Sequence, residues 1–127
     1  MNKKNILLVE DNAVNRRLAG FLLRSQGYQV REATTATETF EMLKNDRPDL
    51  IVMDIQLPGM DGLEVTKKLK AQPATADIPV IAVTSYAMKG DREKALAAGC
   101  AGYVTKPIDK KIFIEEVAAH VGNKKAE

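Results

Sequence analysis

The feature that most limits the possible fold is a series of short apolar runs. Three runs contain no polar residue, and two shorter runs are mixed: Ile6–Val9, Leu50–Met53 and Val80–Val83, then Tyr28–Val30 and Gly102–Val104. Their length and branched side chains predict strands. Because the three longer runs are apolar throughout and do not alternate, they are typical of parallel strands covered by helices on both faces.

The segments between the runs have the length and spacing of helices. Apolar residues recur at helical intervals, and this spacing predicts amphipathic helices. In the first segment they are Val14, Leu18, Phe21 and Leu22, and in the third they include Leu63, Val65 and Leu69. The chain therefore reads as a strand followed by a helix, repeated five times, and we expect a doubly wound α/β domain with a five-stranded parallel sheet.

Helix signals support this division of the chain. Thr35 followed by Glu38 has the spacing of a capping box at the start of the second helix. Gly122 is expected to end the fifth helix. We therefore predict one domain over residues 1–122 and a frayed tail over residues 123–127.

Charge and cysteine content exclude several classes of function. Lys and Arg number 19 against 17 Asp and Glu, and a formal charge of +2 gives no strong field toward nucleic acid or an anionic membrane. The single cysteine, Cys100, cannot form an internal disulfide, which suits a reducing compartment. No apolar run is long enough to span a bilayer, and the first residues do not resemble a signal peptide. We expect a cytoplasmic protein without membrane insertion and without direct binding to nucleic acid.

Ionisable and hydroxyl residues follow four of the predicted strands. They are Glu10 and Asp11 after the first, Asp54 after the third, Thr84 after the fourth and Lys106 after the fifth. In a doubly wound sheet, the carboxyl ends of neighbouring strands form the ligand site. Three carboxylates would repel one another unless a cation joined them, and oxygen ligands suit Mg²⁺. Lys106 and Thr84 supply donors for phosphoryl oxygens, so the pattern predicts phosphoryl transfer to an aspartate.

Four motifs at these positions carry a resemblance to a known family. They are Leu8–Asn12, Met53–Gly62, Val83–Ser85 and Tyr103–Pro107. In this order and spacing, the chain resembles the receiver domain of two-component response regulators over essentially its whole length. The resemblance implies a flavodoxin-like fold with strand order 2-1-3-4-5. Residues 87–91 further resemble the single-domain DivK-type regulators and the receivers of hybrid histidine kinases.

The resemblance implies a chemical role for each residue at the strand ends. Asp54 would be the phosphoacceptor and would take a phosphoryl group from the phosphohistidine of a histidine kinase or a histidine phosphotransfer protein. Asp11 and Asp54 would bind Mg²⁺ directly, and Glu10 would act directly or through water. The backbone carbonyl of Gln56 would add a ligand. Lys106 would bind the phosphoryl group, or pair with Asp54 in its absence.

The resemblance also implies a switch and a control on the phosphorylated lifetime. Thr84 would move its hydroxyl onto a phosphoryl oxygen, and Tyr103 would turn inward to fill the vacated space. The face formed by the fourth helix, the fifth strand and the fifth helix would then present a different surface to a downstream protein target. Gln56 and Tyr86 would border the open side of the phosphoryl group and tune its hydrolysis. The bond between Lys106 and Pro107 is expected to be cis.

Other functions fit the sequence less well. A haloacid-dehalogenase-type phosphatase needs a second aspartate two residues after the nucleophile, where this chain has Gln56. The acidic first loop would repel the phosphate of a flavin, which argues against an electron carrier. A degenerate receiver that acts as a phosphorylation-independent interaction module remains the alternative. Whether to call the chain an enzyme is left open, because a receiver assists only its own phosphorylation and dephosphorylation.

Overall fold

A computed structural model describes residues 3–85 and 90–121, in which strands and helices alternate along the chain. The strands are β1 (Asn5–Val9), β2 (Gln29–Ala33), β3 (Leu50–Asp54), β4 (Val80–Thr84) and β5 (Gly102–Thr105). The helices are α1 (Ala13–Ser25), α2 (Ala36–Asn45), α3 (Gly62–Lys70), α4 (Asp91–Ala98) and α5 (Lys110–His120). The strands form one parallel sheet in the order β2-β1-β3-β4-β5, which confirms the predicted fold.

Successive residues of the central strands enter two separate cores, one on each face of the sheet. Leu7 and Met53 belong to the core that contains residues of α2, α3 and α4. Leu8 and Val52 belong to the other core, with residues of α1 and α5. Both faces of β3 and β4 are therefore buried, which is why their sequences do not alternate.

The edge strand β2 differs from its predicted span. The apolar run Tyr28–Val30 predicted a shorter strand, whereas β2 starts at Gln29 and continues through Arg31 and Glu32 to Ala33. Its backbone pairs with β1, but its side chains are largely exposed or half-buried because it lies at the edge of the sheet. Polar residues are tolerated in an edge strand, so the length of the apolar run underestimates the length of β2.

Helix α1 buries a different face from the one that its apolar spacing indicates. Val14, Leu18 and Phe21 remain 72%, 42% and 66% exposed. The buried residues of α1 are Ala19, Gly20, Leu22 and Leu23. The spacing therefore predicted the helix correctly, but three of the four residues that defined it face solvent.

The predicted capping box at the start of α2 is present with one change. Thr35 Oγ1 accepts a hydrogen bond from the backbone N–H of Glu38 at 3.0 Å. The Glu38 carboxylate accepts from the N–H of Thr34 at 2.6 Å, one residue before the cap. Helix α5 ends at His120, and Gly122 and the predicted tail lie outside the described residues.

The start of α3 lies directly on the backbone that follows β3. The N–H of Gly62 donates to the carbonyl of Ile55 at 2.7 Å. A Cβ at position 62 would overlap the Asp54 carbonyl oxygen and would lie 2.8 Å from Ile55 Cα. Glycine at this position therefore allows α3 to begin against the carboxyl end of β3.

Replacing Gly62 with alanine is expected to lower the free energy of unfolding by about 1–3 kcal/mol, the usual cost of overpacking a close contact. The contact is with backbone, so a side-chain rotation cannot relieve it. Urea denaturation of the variant and of the wild type measures the difference.

Gly20→Ala is the matched control inside α1. A Cβ there would meet the ends of Arg24 and Glu32, which are long side chains, at 3.0 and 3.3 Å. Alanine also favours a helix by about 1 kcal/mol over glycine. We expect this control to keep its stability, and an unchanged stability for Gly62→Ala would contradict the packing described above.

Candidate functional site

The carboxyl ends of β1, β3 and β5 meet at a cluster of ionisable side chains. Lys106 Nζ lies 3.0 Å from Glu10 Oε1 and 3.3 Å from Asp54 Oδ2. Glu10 and Asp54 are only 3% and 2% exposed. One ammonium therefore bridges two buried carboxylates that are far apart in the sequence.

Asp11 adds a third carboxylate to this cluster. Carboxylate oxygens of Glu10, Asp11 and Asp54 lie within 4.8 Å of one another. Asp11 is exposed, so the cluster opens to solvent on its side. With every group ionised, three carboxylates and one ammonium leave a formal charge of −2.

The electrostatic environment is unfavourable to the charge of Glu10. Burial raises the pKa of its carboxyl, and the hydrogen bond with Asp54 and the charge of Asp54 raise it further. Lys106 lowers the pKa through its own hydrogen bond and charge, yet the pKa of Glu10 still reaches about 7, compared with an ordinary value of 4.5. The cluster therefore has too little positive charge for its carboxylates, and a divalent cation with oxygen ligands fits both its charge and its donor atoms.

Backbone groups hold the functional side chains in place. The N–H of Gln56 donates to Asp54 Oδ1 at 3.0 Å, so the other oxygen of Asp54 faces Lys106. The N–H of Asn12 donates to Glu10 Oε2 at 3.3 Å. The N–H of Lys106 donates to the Thr84 carbonyl at 2.7 Å, which fixes the backbone of Lys106 beside β4.

The remaining predicted site residues have separate positions. Thr84 is buried at the end of β4, and Tyr103 is half-buried on β5, where it packs against the core that contains α4. Burial and the nearby Asp91 raise the pKa of the Tyr103 hydroxyl. Tyr86 lies outside the described residues. The Lys106–Pro107 bond is cis.

Two residues with close contacts at the site had no role in the sequence prediction. Ser85 Oγ donates to Gln56 Oε1 at 3.2 Å and so holds the Gln56 side chain beside β4. Arg16 donates to the backbone carbonyls of Glu10 and Asp11 at 3.1 and 3.3 Å. Ser85 belonged to a recognised motif. The contacts of Arg16 needed the tertiary structure, because they depend on the path of the preceding loop and on Glu32 in β2.

Comparisons with known proteins agree on one family. The profile of the response regulator receiver domain matches residues 6–118. The polar-differentiation response regulator DivK of Brucella anthropi is 44% identical over 120 residues, which are 94% of this chain and 98% of DivK. DivK of Brucella ovis is 43% identical with the same coverage.

Solved structures with the same fold include receivers of histidine kinases. The receiver domain of a sensor histidine kinase from Pseudomonas aeruginosa PAO1 superposes with a TM-score of 0.86 at 36% identity, over 95% of this chain and 99% of that domain. That structure holds a magnesium ion coordinated in the active-site cleft. The receiver domain of a signal transduction histidine kinase from Syntrophus aciditrophicus gives a TM-score of 0.88 at 31% identity, over 98% and 94% of the two chains. Within residues 3–85 and 90–121 of this chain, no helix has the length and apolar character needed to cross a membrane.

The raised pKa of Glu10 predicts a pH-dependent stability in metal-free buffer. As pH rises from 4.5 toward 7, unfolded Glu10 loses its proton while folded Glu10 retains it. The unfolded state then binds fewer protons, so the free energy of unfolding must fall with rising pH. Glu10→Gln stays neutral and removes this contribution.

Urea denaturation in the presence of a chelator, at about pH 5 and about pH 8, tests the prediction by linkage. The loss of stability between these two pH values should be larger for the wild type than for Glu10→Gln. Equal losses for both proteins would show that Glu10 keeps an ordinary pKa in the folded state.

Proposed function

This chain belongs to the response regulator receiver family of two-component signalling, and from that membership we propose that it is a phosphorylation-dependent switch with Asp54 as phosphoacceptor. The observation that carries the proposal is the buried Asp54 carboxylate, held between the Gln56 N–H and the Lys106 ammonium beside two further acids. A buried aspartate in this setting is a nucleophile with a cation already placed beside it.

The proposed reaction moves a phosphoryl group from a phosphohistidine to Asp54. An Asp54 carboxylate oxygen attacks phosphorus and forms an O–P bond, while the N–P bond to the donor imidazole breaks and the imidazole nitrogen keeps the electron pair and takes up a proton. Lys106, which pairs with Asp54 and Glu10 in this structure, would then neutralise a phosphoryl oxygen. The product is an acyl phosphate on Asp54.

The acidic cluster would hold Mg²⁺. Asp11 and Asp54 would bind it directly, Glu10 directly or through water, and Gln56 through its backbone carbonyl. When bound, Mg²⁺ would neutralise charge that develops on the phosphoryl oxygens. Support comes from the charge and oxygen content of the cluster and from the magnesium-bound receiver of the Pseudomonas aeruginosa kinase.

The change in surface would begin at Thr84 and reach Tyr103. Thr84 lies at the carboxyl end of β4, and Tyr103 lies on β5, the neighbouring strand. Movement of the Thr84 hydroxyl toward a phosphoryl oxygen would leave space that the Tyr103 ring could enter. The face formed by α4, β5 and α5 would then favour a second conformation and a downstream protein target.

Helix α1 offers a docking surface for the phosphohistidine donor. We call Val14, Leu18 and Phe21 the α1 stripe, and their exposed fractions of 72%, 42% and 66% are high for large apolar side chains. The helix starts at Ala13, directly after the loop that carries Glu10 and Asp11. A protein that packs against the α1 stripe would therefore lie beside the acidic cluster. We place this exchange in the cytoplasm, because the single cysteine of the chain, Cys100, has no partner for an internal disulfide and so suits a reducing compartment.

A small acyl-phosphate donor with Mg²⁺ is expected to add one phosphoryl group to the wild type and none to Asp54→Asn, because the amide cannot serve as the nucleophile. Intact-mass spectrometry measures the added mass. The same reaction with a chelator is the metal control and should leave the wild type unmodified. Full incorporation into Asp54→Asn would disprove the assignment, and no incorporation into the wild type would favour the phosphorylation-independent module.

Replacing Val14 and Phe21 together with serine is expected to slow transfer from a histidine phosphotransfer protein by about tenfold or more, since large apolar anchors dominate such interfaces. Transfer from the small acyl-phosphate donor should stay at the wild-type rate, because that donor needs no docking surface. Rates are measured by the gain of phosphate on this chain.

Leu96→Ser provides the matched control for this double variant. Leu96 is a 44% exposed leucine on α4, which packs on the opposite face of the sheet from α1. The ratio of its two transfer rates should equal the wild-type ratio, because any effect of α4 on the site would change transfer from both donors alike. An equal slowing with both donors in the α1 variant would indicate damage to the site itself and would contradict a docking role.

A further inference from the structure

Arg16 connects the acidic loop to the edge of the sheet. Its guanidinium donates to the carbonyl oxygens of Glu10 and Asp11 at 3.1 and 3.3 Å. Its Nε lies 3.3 Å from Glu32 Oε1 on β2. Arg16 thus uses the several donors of one planar group to tie a loop to a strand, which the single ammonium of a lysine could not do in the same geometry.

Glu32 is itself held in position by a second arginine. Arg24 Nη1 lies 3.2 Å from Glu32 Oε2, and Arg24 Nη2 donates to the Val30 carbonyl at 3.1 Å. Glu32 is therefore paired on both oxygens, and it fixes the guanidinium of Arg16 relative to the sheet. These contacts together fix the position of the loop relative to β2.

The direction of the two carbonyls determines where the N–H groups of the loop point. In a trans peptide, the C=O of one residue and the N–H of the next point in opposite directions. With the carbonyls of Glu10 and Asp11 directed at Arg16, the N–H groups of Asp11 and Asn12 point away from it. The N–H of Asn12 indeed donates to the Glu10 carboxylate at 3.3 Å.

We infer that Arg16 is a positioning residue, which orients the loop peptides so that the Asp11 and Glu10 carboxylates face the cation site. This inference rests on the magnesium site of the proposed function. Arg16 acts through the backbone of the loop, because its guanidinium contacts the carbonyl oxygens of Glu10 and Asp11 and the carboxylate of Glu32.

The sign of the effect on Mg²⁺ affinity separates positioning from simple electrostatics. Arg16 is a cation near a proposed cation site, so its charge alone repels Mg²⁺. If Arg16 acted only through its charge, replacing it with alanine would tighten Mg²⁺ binding. If it positions the loop, the replacement weakens binding, and outer partners of metal ligands typically contribute about tenfold or more to affinity.

The test compares Arg16→Ala with Arg17→Ala, which removes the same charge from an adjacent, exposed residue of α1. Isothermal titration calorimetry gives the Mg²⁺ dissociation constant. We expect about a tenfold or larger increase for Arg16→Ala and no increase for Arg17→Ala. Asp11→Asn, which removes a direct ligand, serves as the positive control, and Arg16→Lys, which keeps the charge but loses the forked contacts, should also bind more weakly.

A second measurement needs no metal. Hydrogen exchange of the Asn12 amide, followed by NMR in chelator, should be faster in Arg16→Ala than in the wild type and unchanged in Arg17→Ala. Wild-type Mg²⁺ affinity and wild-type Asn12 exchange in Arg16→Ala would overturn the inference, as would tighter Mg²⁺ binding. A wild type that binds no Mg²⁺ would instead refute the proposed magnesium site, and the exchange data would still decide whether Arg16 orders the loop.

Discussion

The Lys106 ammonium between Glu10 and Asp54 is the interaction on which the site depends. The lysine side chain extends past the carboxyl end of β4 to join Glu10, which directly follows β1, with Asp54, the last residue of β3. The hydrogen bond from the Lys106 N–H to the Thr84 carbonyl fixes the backbone of the lysine. Two nearly buried carboxylates without a cation would be strongly destabilising. One ammonium offsets part of that cost, yet burial and the neighbouring Asp54 still hold the pKa of Glu10 near 7, so the ionised cluster remains short of positive charge. In the proposed function, a divalent cation would supply the missing positive charge and would also offset the negative charge of the incoming phosphoryl group.

Much of this arrangement could be predicted because a parallel sheet gives it few alternatives. Unbroken runs such as Leu50–Met53 indicate burial on both faces, and residues that follow such runs must meet at one edge. Glu10, Asp11, Asp54 and Lys106 could therefore be placed together from the sequence. The strand order came from the resemblance to receivers, because apolar runs do not specify which strands are neighbours.

The incorrect predictions have one physical origin, which is that the sequence does not show which side of a helix or strand packs against the core. Val14, Leu18 and Phe21 have helical spacing, yet α1 approaches the sheet through Ala19, Gly20 and two leucines. Small residues allow close packing, and a count of large apolar residues does not detect them. Likewise, β2 needs no apolar run because only part of its surface is covered, and the contacts of Arg16 depend on how α1 lies over the preceding loop.

The two sides of helix α1 have different surroundings. Successive residues are rotated by about 100°, so Arg16 lies about 160° around the axis from Val14 and Leu18 and about 140° from Phe21. The stripe faces solvent, where a donor protein could pack, while Arg16 turns toward β2 and the acidic loop. Because both groups belong to one helix that starts directly after Asn12, a partner bound at the stripe would lie at a fixed distance from the acidic cluster. On the proposed function, replacing the exposed apolar residues of α1 would change partner binding and leave the contacts of Arg16 with the loop in place.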